Sequence, residues 1–121
     1  MDQYCPKITG NLKRSLCPIT NTLDIIGDKW TLLIIRDMMV LNKKLFNEFL
    51  ESPEKIATNI LTDRLKRLEK HHVIKKKAYS KSPRRFEYTL TPLGQDLRPL
   101  LLELVRWGNA HIKGTFVPKK I

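Results

Sequence analysis

The sharpest hydrophobic pattern in the chain lies in residues 57–71, ATNILTDRLKRLEKH. At about 100° per residue, Ala57, Ile60, Leu61, Leu65 and Leu68 fall on one stripe, and Asn59, Thr62, Asp63, Lys66 and Lys70 fall on the opposite side. The spacing predicts a helix that docks through one face and presents the other. Upstream, Pro18 fits a first helical turn, and Leu23, Ile25 and Ile26 give a short apolar face that stops at Gly27. Asp28 suits the N-cap of a second helix. There Trp30, Leu33, Ile34 and the stretch from Met38 to Leu41 are too uniformly apolar for a wide wet face, so this helix is core. Asn42, Lys43 and Lys44 make a polar turn before a third, short helix over residues 45–51, with Leu45, Phe46, Phe49 and Leu50 facing inward. Ser52 and Pro53 break the chain before the amphipathic helix. Helix, short break, helix is the helix-turn-helix order, in which the second member lies across the first and enters a major groove.

After His72 the period changes. Residues 73–80 and 85–90 are short runs with β-branched and aromatic side chains, separated by a Lys-Ser-Pro-Arg loop, and predict a β-hairpin whose tip carries Lys81, Arg84 and Arg85. A cationic hairpin beside a helix-turn-helix describes a winged helix. Thr91 and Pro92 start a helix expected to run over residues 92–113 and to kink at Pro99. Leu93, Leu97, Leu100, Leu101, Leu104, Gly108 and His111 lie on one side of it, and Leu102, Val105 and Ile112 widen the apolar surface beyond what one small domain uses. The surplus predicts a partner. A two-fold dimer through Leu97, Leu101, Leu104, Val105, Gly108 and Ile112 is the simplest one, since it sets two recognition helices about 34 Å apart, one groove repeat. The fold class is α+β, mainly α: a winged helix-turn-helix with a long C-terminal dimerisation helix. Residues 1–16, without sustained period, read as an N-terminal arm, residues 17–113 as the domain, and residues 114–121 as a tail.

Charge changes this picture from a helical domain to a DNA-binding one. The net charge is +11, and residues 61–90 hold ten basic side chains against three acidic ones. A polyanion meeting that cluster releases counterions on binding. Thr58, Asn59, Thr62 and Lys66 are the candidates for major-groove contacts, because Asn pairs bidentately with adenine, Thr meets the thymine methyl, and Lys reaches guanine or phosphate. Arg64 lies nearer the apolar side, with its stem packed and its head on a phosphate or on an internal acid such as Asp37 or Glu48. Lys81, Arg84 and Arg85 are candidates for the DNA backbone.

Other classes recede. Two cysteines, Cys5 and Cys17, do not make a disulfide scaffold, and the three histidines stand at no metal-ligand spacing, so no metal or cofactor is expected. No run of about 18 apolar residues and no signal pattern occur, which predicts a cytoplasmic protein without a membrane partner. No nucleophile, base and orienting group stand at a recognisable spacing, and Asp24, Asp28 and Asp37 read as caps and surface charge, so an enzyme is not expected. An architectural or RNA-binding protein, using the basic face without sequence choice, is the rival reading.

Cys17-Pro18, Gly27-Asp28-Lys29-Trp30, Leu45-Phe46-Asn47-Glu48-Phe49, the block from Leu61-Thr62 through Arg64-Leu65 to Leu68-Glu69, Phe86-Glu87-Tyr88-Thr89-Leu90-Thr91 with Gly94, and Trp107-Gly108 together resemble the HxlR-type transcriptional regulators of the MarR-like group. The resemblance covers residues 17–112. It implies a homodimeric regulator, a repressor by the usual pattern, on a pseudo-palindromic operator in double-stranded DNA. It also implies redox sensing at Cys17, whose position before the proline is where several members carry a thiol that oxidants or electrophiles modify; Cys5 matches no family position and is a candidate resolving partner only as the second thiol of the chain. A small-molecule effector is the alternative within the same fold, bound by Trp30, Phe46 and Trp107. The chain departs from the pattern at two positions: Ala57 stands where a hydroxyl residue usually caps the recognition helix, leaving Thr58 to cap it or the cap lost, and His72 stands where glycine usually ends it.

Overall fold

The computed structural model describes residues 14–81 and 83–118. Among these residues six helices and one hairpin follow the expected order, except that the terminal helix is two. Proline at N1 and an extended Cys17 start α1, Pro18–Ile26, and α1 ends at Gly27. A Cβ on Gly27 would meet the Leu23 carbonyl oxygen at 2.3 Å, so only glycine fits this tight exit. Asp28 caps α2, Lys29–Met39, by accepting from the Thr31 N–H at 3.0 Å and the Thr31 hydroxyl at 2.7 Å. The second helix is core as its composition requires, with Ile34, Ile35 and Met38 buried, but Val40 ends it and Leu41 turns outward, 49% exposed. In α3, Phe46–Leu50, the Glu48 carboxylate accepts from the N–H groups of Lys44 at 2.8 Å and Leu45 at 3.0 Å, which ties the short helix to its own entry and holds Glu48 below the usual carboxylate range.

The amphipathic stretch forms α4, Thr58–Lys70, with Leu61, Leu65 and Leu68 buried against Ile34, Ile35 and Phe49 in one core. Ala57 is its N-cap and supplies no side-chain bond, so the cap is lost rather than moved to Thr58, which already sits in the first turn. At the other end the His72 N–H donates to Glu69 O and the Val73 N–H to Leu68 O, both at 3.0 Å. This is a Schellman motif closed by buried Leu68 and Val73, and it requires a left-handed residue at His72, whose φ is +62°. The exit therefore keeps the shape glycine favours while carrying a side chain. His72→Gly is expected to stabilise the fold by about 1 kcal/mol, the scale of the Cβ penalty in that conformation, which is about 4 °C in melting temperature. A thermal melt with no upward shift would show the strain to be absorbed elsewhere.

The strands β1, Ile74–Lys81, and β2, Arg84–Leu90, pair antiparallel from Ile74 opposite Leu90 to Lys81 opposite Arg84. The pairing runs further toward the tip than the sequence suggests, so Lys81, Arg84 and Arg85 stand on paired strand ends rather than in a loop. A bulge at Tyr79 shifts the register between Ala78 and Ser80, and the Ser80 hydroxyl donates to the Pro83 carbonyl at 2.9 Å near the tip. Leu45 adds a bridge to Glu87, and the Tyr88 N–H donates to Lys44 O at 2.8 Å, fastening the wing to the entry of α3.

The C-terminal helix is not one kinked rod. It is split into α5, Pro92–Gln95, and α6, Arg98–His111, with Pro99 in the first turn of α6. A proline ring there would crowd the Gln95 carbonyl and offers it no N–H, whereas in a first turn the missing donor costs nothing, so the chain ends one helix and begins another. Thr91 caps α5 through the Gly94 N–H at 3.1 Å, and a Cβ on Gly94 would meet Val73 O at 2.3 Å, so glycine lets α5 lie on the recognition-helix exit.

Candidate nucleic-acid interface

The core holds the apolar stripe of α4 inward, and Thr58, Asn59, Thr62 and Lys66 are all exposed on its outer side. The Thr62 hydroxyl donates to Thr58 O at 2.9 Å, so its donor is used within the helix and its methyl group remains for a neighbour. Arg64 is different. Its Nε meets Asp28 Oδ1 at 3.2 Å and its Nη1 meets Asp63 Oδ2 at 2.6 Å, so its head is held by internal acids, though by these two and not by Asp37 or Glu48. On the wing Lys81, Arg84 and Arg85 are exposed, and among the described residues neither Lys81 nor Arg85 makes an ion pair. Arg84 lies 5.9 Å and Lys76 4.6 Å from the Phe86 ring, so this aromatic side chain steadies two cations of the hairpin. Lys76 also reaches Glu69 at 4.0 Å, which links the wing to the recognition helix.

The turn before α4 is fastened by a polar clasp that local sequence spacing does not reveal. Arg36 donates to both oxygens of Glu54 at 2.8 Å and to Asp37 at 2.7 Å. The Ser52 hydroxyl donates to Asp37 Oδ2, and Lys43 Nζ donates to Ser52 Oγ at 2.8 Å. Arg36 holds Glu54 well below its ordinary value, at about 2. Asp37 is 3% exposed, so it is a buried anchor and not the surface charge its sequence context suggests; burial is tolerated because a guanidinium and a hydroxyl satisfy it. Arg36 and Glu54 lie 18 residues apart and Asp37 and Ser52 lie 15 apart, beyond any helical or strand period.

Cys17 is exposed at the N-cap of α1. The backbone and hydroxyl of Thr20 and the backbone of Ile19, in the first turn of α1, lower its thiol pKa by favouring the thiolate. Cys5 lies outside the described residues, as does most of the N-terminal arm. No group of three or more His, Cys, Asp or Glu among the described residues is placed to hold a metal ion, and no described helix is long and apolar enough to cross a membrane.

The residues named for dimerisation divide. Leu101 belongs to the core of the single chain, 6% exposed, and Leu97 packs against that core. Leu104 and Ile112 are 47% and 53% exposed, Val105 is half-buried, and a Cβ on Gly108 would meet nothing within 4 Å. Sequence reading missed Leu16 and Ile19 and grouped Leu23 with Ile25 and Ile26; only Ile26 of those three is buried, and Leu16, Ile19 and Leu23, spaced three and four apart as in a helical stripe, are all exposed on or beside α1. The three aromatics proposed for an effector pocket stand apart in the chain. Trp30 lines a cavity of about 10 Å³ with Asp37 and Ile56, Phe46 lines the groove between α3 and the wing, and Trp107 is 57% exposed on α6 against His111.

The chain is 39% identical over 95 residues to the uncharacterized HTH-type transcriptional regulator YdeP of Bacillus subtilis, covering 78% of this chain and 73% of the relative. Among solved structures it is similar to the redox regulator HypR in its oxidized form, with 37% identity, a TM-score of 0.68, and 78% and 96% of the two chains covered. It is also similar to the reduced form of the transcriptional regulator YodB from B. subtilis, with 25% identity, a TM-score of 0.65, and 84% and 99% covered. The profile of the HxlR-like helix-turn-helix family matches residues 25–116, the segment from the end of α1 through α6, and with the recognition helix, wing and terminal helix in that order the chain belongs to the HxlR-like helix-turn-helix family of transcriptional regulators.

Proposed function

We propose that this regulator is a homodimeric, sequence-specific DNA-binding repressor that grips a pseudo-palindromic operator and is controlled through the Cys17 thiol. One observation carries the DNA reading: the outer face of α4, with Thr58, Asn59, Thr62 and Lys66, is open beside a wing whose Lys81, Arg84 and Arg85 are also exposed. Base-reading groups and phosphate-holding groups thus stand on neighbouring elements, which a general polyanion binder does not need. Thiol control is supported by the exposure and lowered pKa of Cys17 and by similarity to HypR, a redox regulator. Cys17 caps the helix that carries the exposed apolar side chains of Ile19 and Leu23, so a change at sulfur acts on a second chain seated on that helix. The agent is an oxidant or electrophile met in the cytoplasm, where thiols rest reduced.

Selection of duplexes from a random library tests both parts. The protein is expected to enrich a two-fold sequence with half-sites about 10 base pairs apart, centre to centre. Diamide takes two electrons and two protons from a pair of thiols to give a disulfide, and is expected to change affinity for the selected duplex in the wild type but not in Cys17→Ser. Failure to enrich any sequence favours the architectural alternative. Equal binding by reduced, diamide-treated and Cys17→Ser protein removes the thiol.

A further inference from the structure

We propose that Arg64, although it lies on the recognition helix of a basic protein, does not contact DNA but fixes the rotation of that helix through Asp28. This role rests on the DNA reading above. Arg64 is two residues from both Thr62 and Lys66, about 200° around the helix, so it leaves α4 on the side away from the reading face. There it meets the start of α2. The Asp28 carboxylate is already aimed by α2: Oδ1 accepts from the Thr31 N–H at 3.0 Å and Oδ2 from the Thr31 hydroxyl at 2.7 Å, and Thr31 is 2% exposed. The remaining direction at Oδ1 is taken by Arg64 Nε at 3.2 Å. The pair is shielded, with the Arg64 and Asp28 side chains 21% and 33% exposed.

The apolar stripe of α4 cannot do this work alone. Leu61, Leu65 and Leu68 anchor the helix to the core, but apolar contact is non-directional and tolerates small rotations. A rotation of about 10° moves a side-chain tip about 1 Å at a helix radius of about 5–6 Å, enough to spoil a base-edge hydrogen bond. A guanidinium fork on a preset carboxylate resists that rotation because its geometry is directional. The fork's other arm holds Asp63 at 2.6 Å, and Arg67 stands 3.7 Å from the same carboxylate, so this acid on the flank of the reading face is drawn onto cations of its own helix. One cap residue therefore ends the α1 to α2 junction, starts α2 and sets the angle at which α4 meets DNA.

Three variants test the assignment, each measured on the duplex selected by the wild type and on a scrambled duplex. Asp28→Ser keeps an N-cap oxygen for Thr31 and removes the carboxylate; Arg64→Gln removes the guanidinium; Arg64→Lys keeps the charge and loses the fork. Circular dichroism and melting confirm that each is folded. Each is expected to lose about tenfold in preference for the selected duplex, with binding to the scrambled duplex and the salt slope unchanged, and Asp28→Ser with Arg64→Gln is expected to lose no more than either alone. Two results overturn the role while leaving the DNA reading intact: wild-type preference in Asp28→Ser, or a uniform loss in Arg64→Gln with a salt slope shallower by about one and rescue by lysine, which marks a phosphate contact. A wild type that prefers no sequence overturns the DNA reading, and this role with it.

Discussion

Leu104→Asp is expected to give a folded monomer whose affinity for the full operator has fallen by about 10²–10⁴, the size of the advantage that linking two binding modules confers. Leu104 is 47% exposed in the single chain, so a carboxylate there stays in water and leaves the core intact. In a dimer the same carboxylate would be buried without a partner, at a cost of several kcal/mol. Exposed apolar surface makes this the place to strike: Trp107 and Ile112, on or at the end of the same helix, are more than half exposed, as are Leu16, Ile19 and Leu23 on or beside α1. So much large apolar surface on a chain this small is what partner faces look like. Sedimentation would show the monomer, and circular dichroism the preserved fold. A Leu104→Asp protein that sediments as wild type and binds the operator as wild type would place the partner surface elsewhere.

What could be read from sequence, and what could not, divides along the range of the interactions. Periodic features were legible: the stripe of α4 gave the helix and its outer face, Asp28 gave the start of α2, and the change to paired β-branched and aromatic residues gave the wing. Directional contacts between distant residues were not. Asp37 looks like one more helix acid, and only folding brings the Ser52 hydroxyl to it and Glu54 to its neighbour Arg36. Arg64 could be placed near the apolar side by its angle, yet which acid would receive it depends on how α2 crosses α4, which no local spacing encodes. The split of α5 from α6 was legible in principle. Pro99 within a helical run forfeits the bond to the Gln95 carbonyl and crowds it, which favours a break and a fresh start with the proline in a first turn over a kink. His72 shows the converse, since a left-handed C-cap is dictated by Leu68 and Val73 having to meet, and the chain adopts it without glycine.

The wing and the recognition helix should fail in different ways. Replacing Arg84 and Arg85 together by alanine is expected to weaken binding to every duplex and to flatten the salt dependence by about 1.8, two phosphates at about 0.9 each. Both side chains are exposed, and Arg85 makes no ion pair among the described residues, so their loss breaks little inside the protein. Arg84 does lie over Phe86, at 5.9 Å, so a small loss of wing stability accompanies the change and a melting curve separates it. Asn59→Ala acts otherwise. Asn59 is exposed in the first turn of α4, and its side-chain amide forms no hydrogen bond among the described residues, which leaves it for a base edge. Its loss is expected to cost about 1–3 kcal/mol on the preferred duplex and almost nothing on a scrambled one, with the salt slope unchanged. The contrast tests the division of labour more firmly than either variant alone, because a weakened fold would lower both kinds of binding together. Equal losses on both duplexes from both variants would mean that α4 and the wing form one undifferentiated basic surface. A loss of discrimination from the wing variant alone would move sequence reading from the helix to the hairpin, and the open cap at Ala57 gives a physical reason to measure it: without a side-chain bond there, the first turn that carries Thr58 and Asn59 is held only by backbone and core.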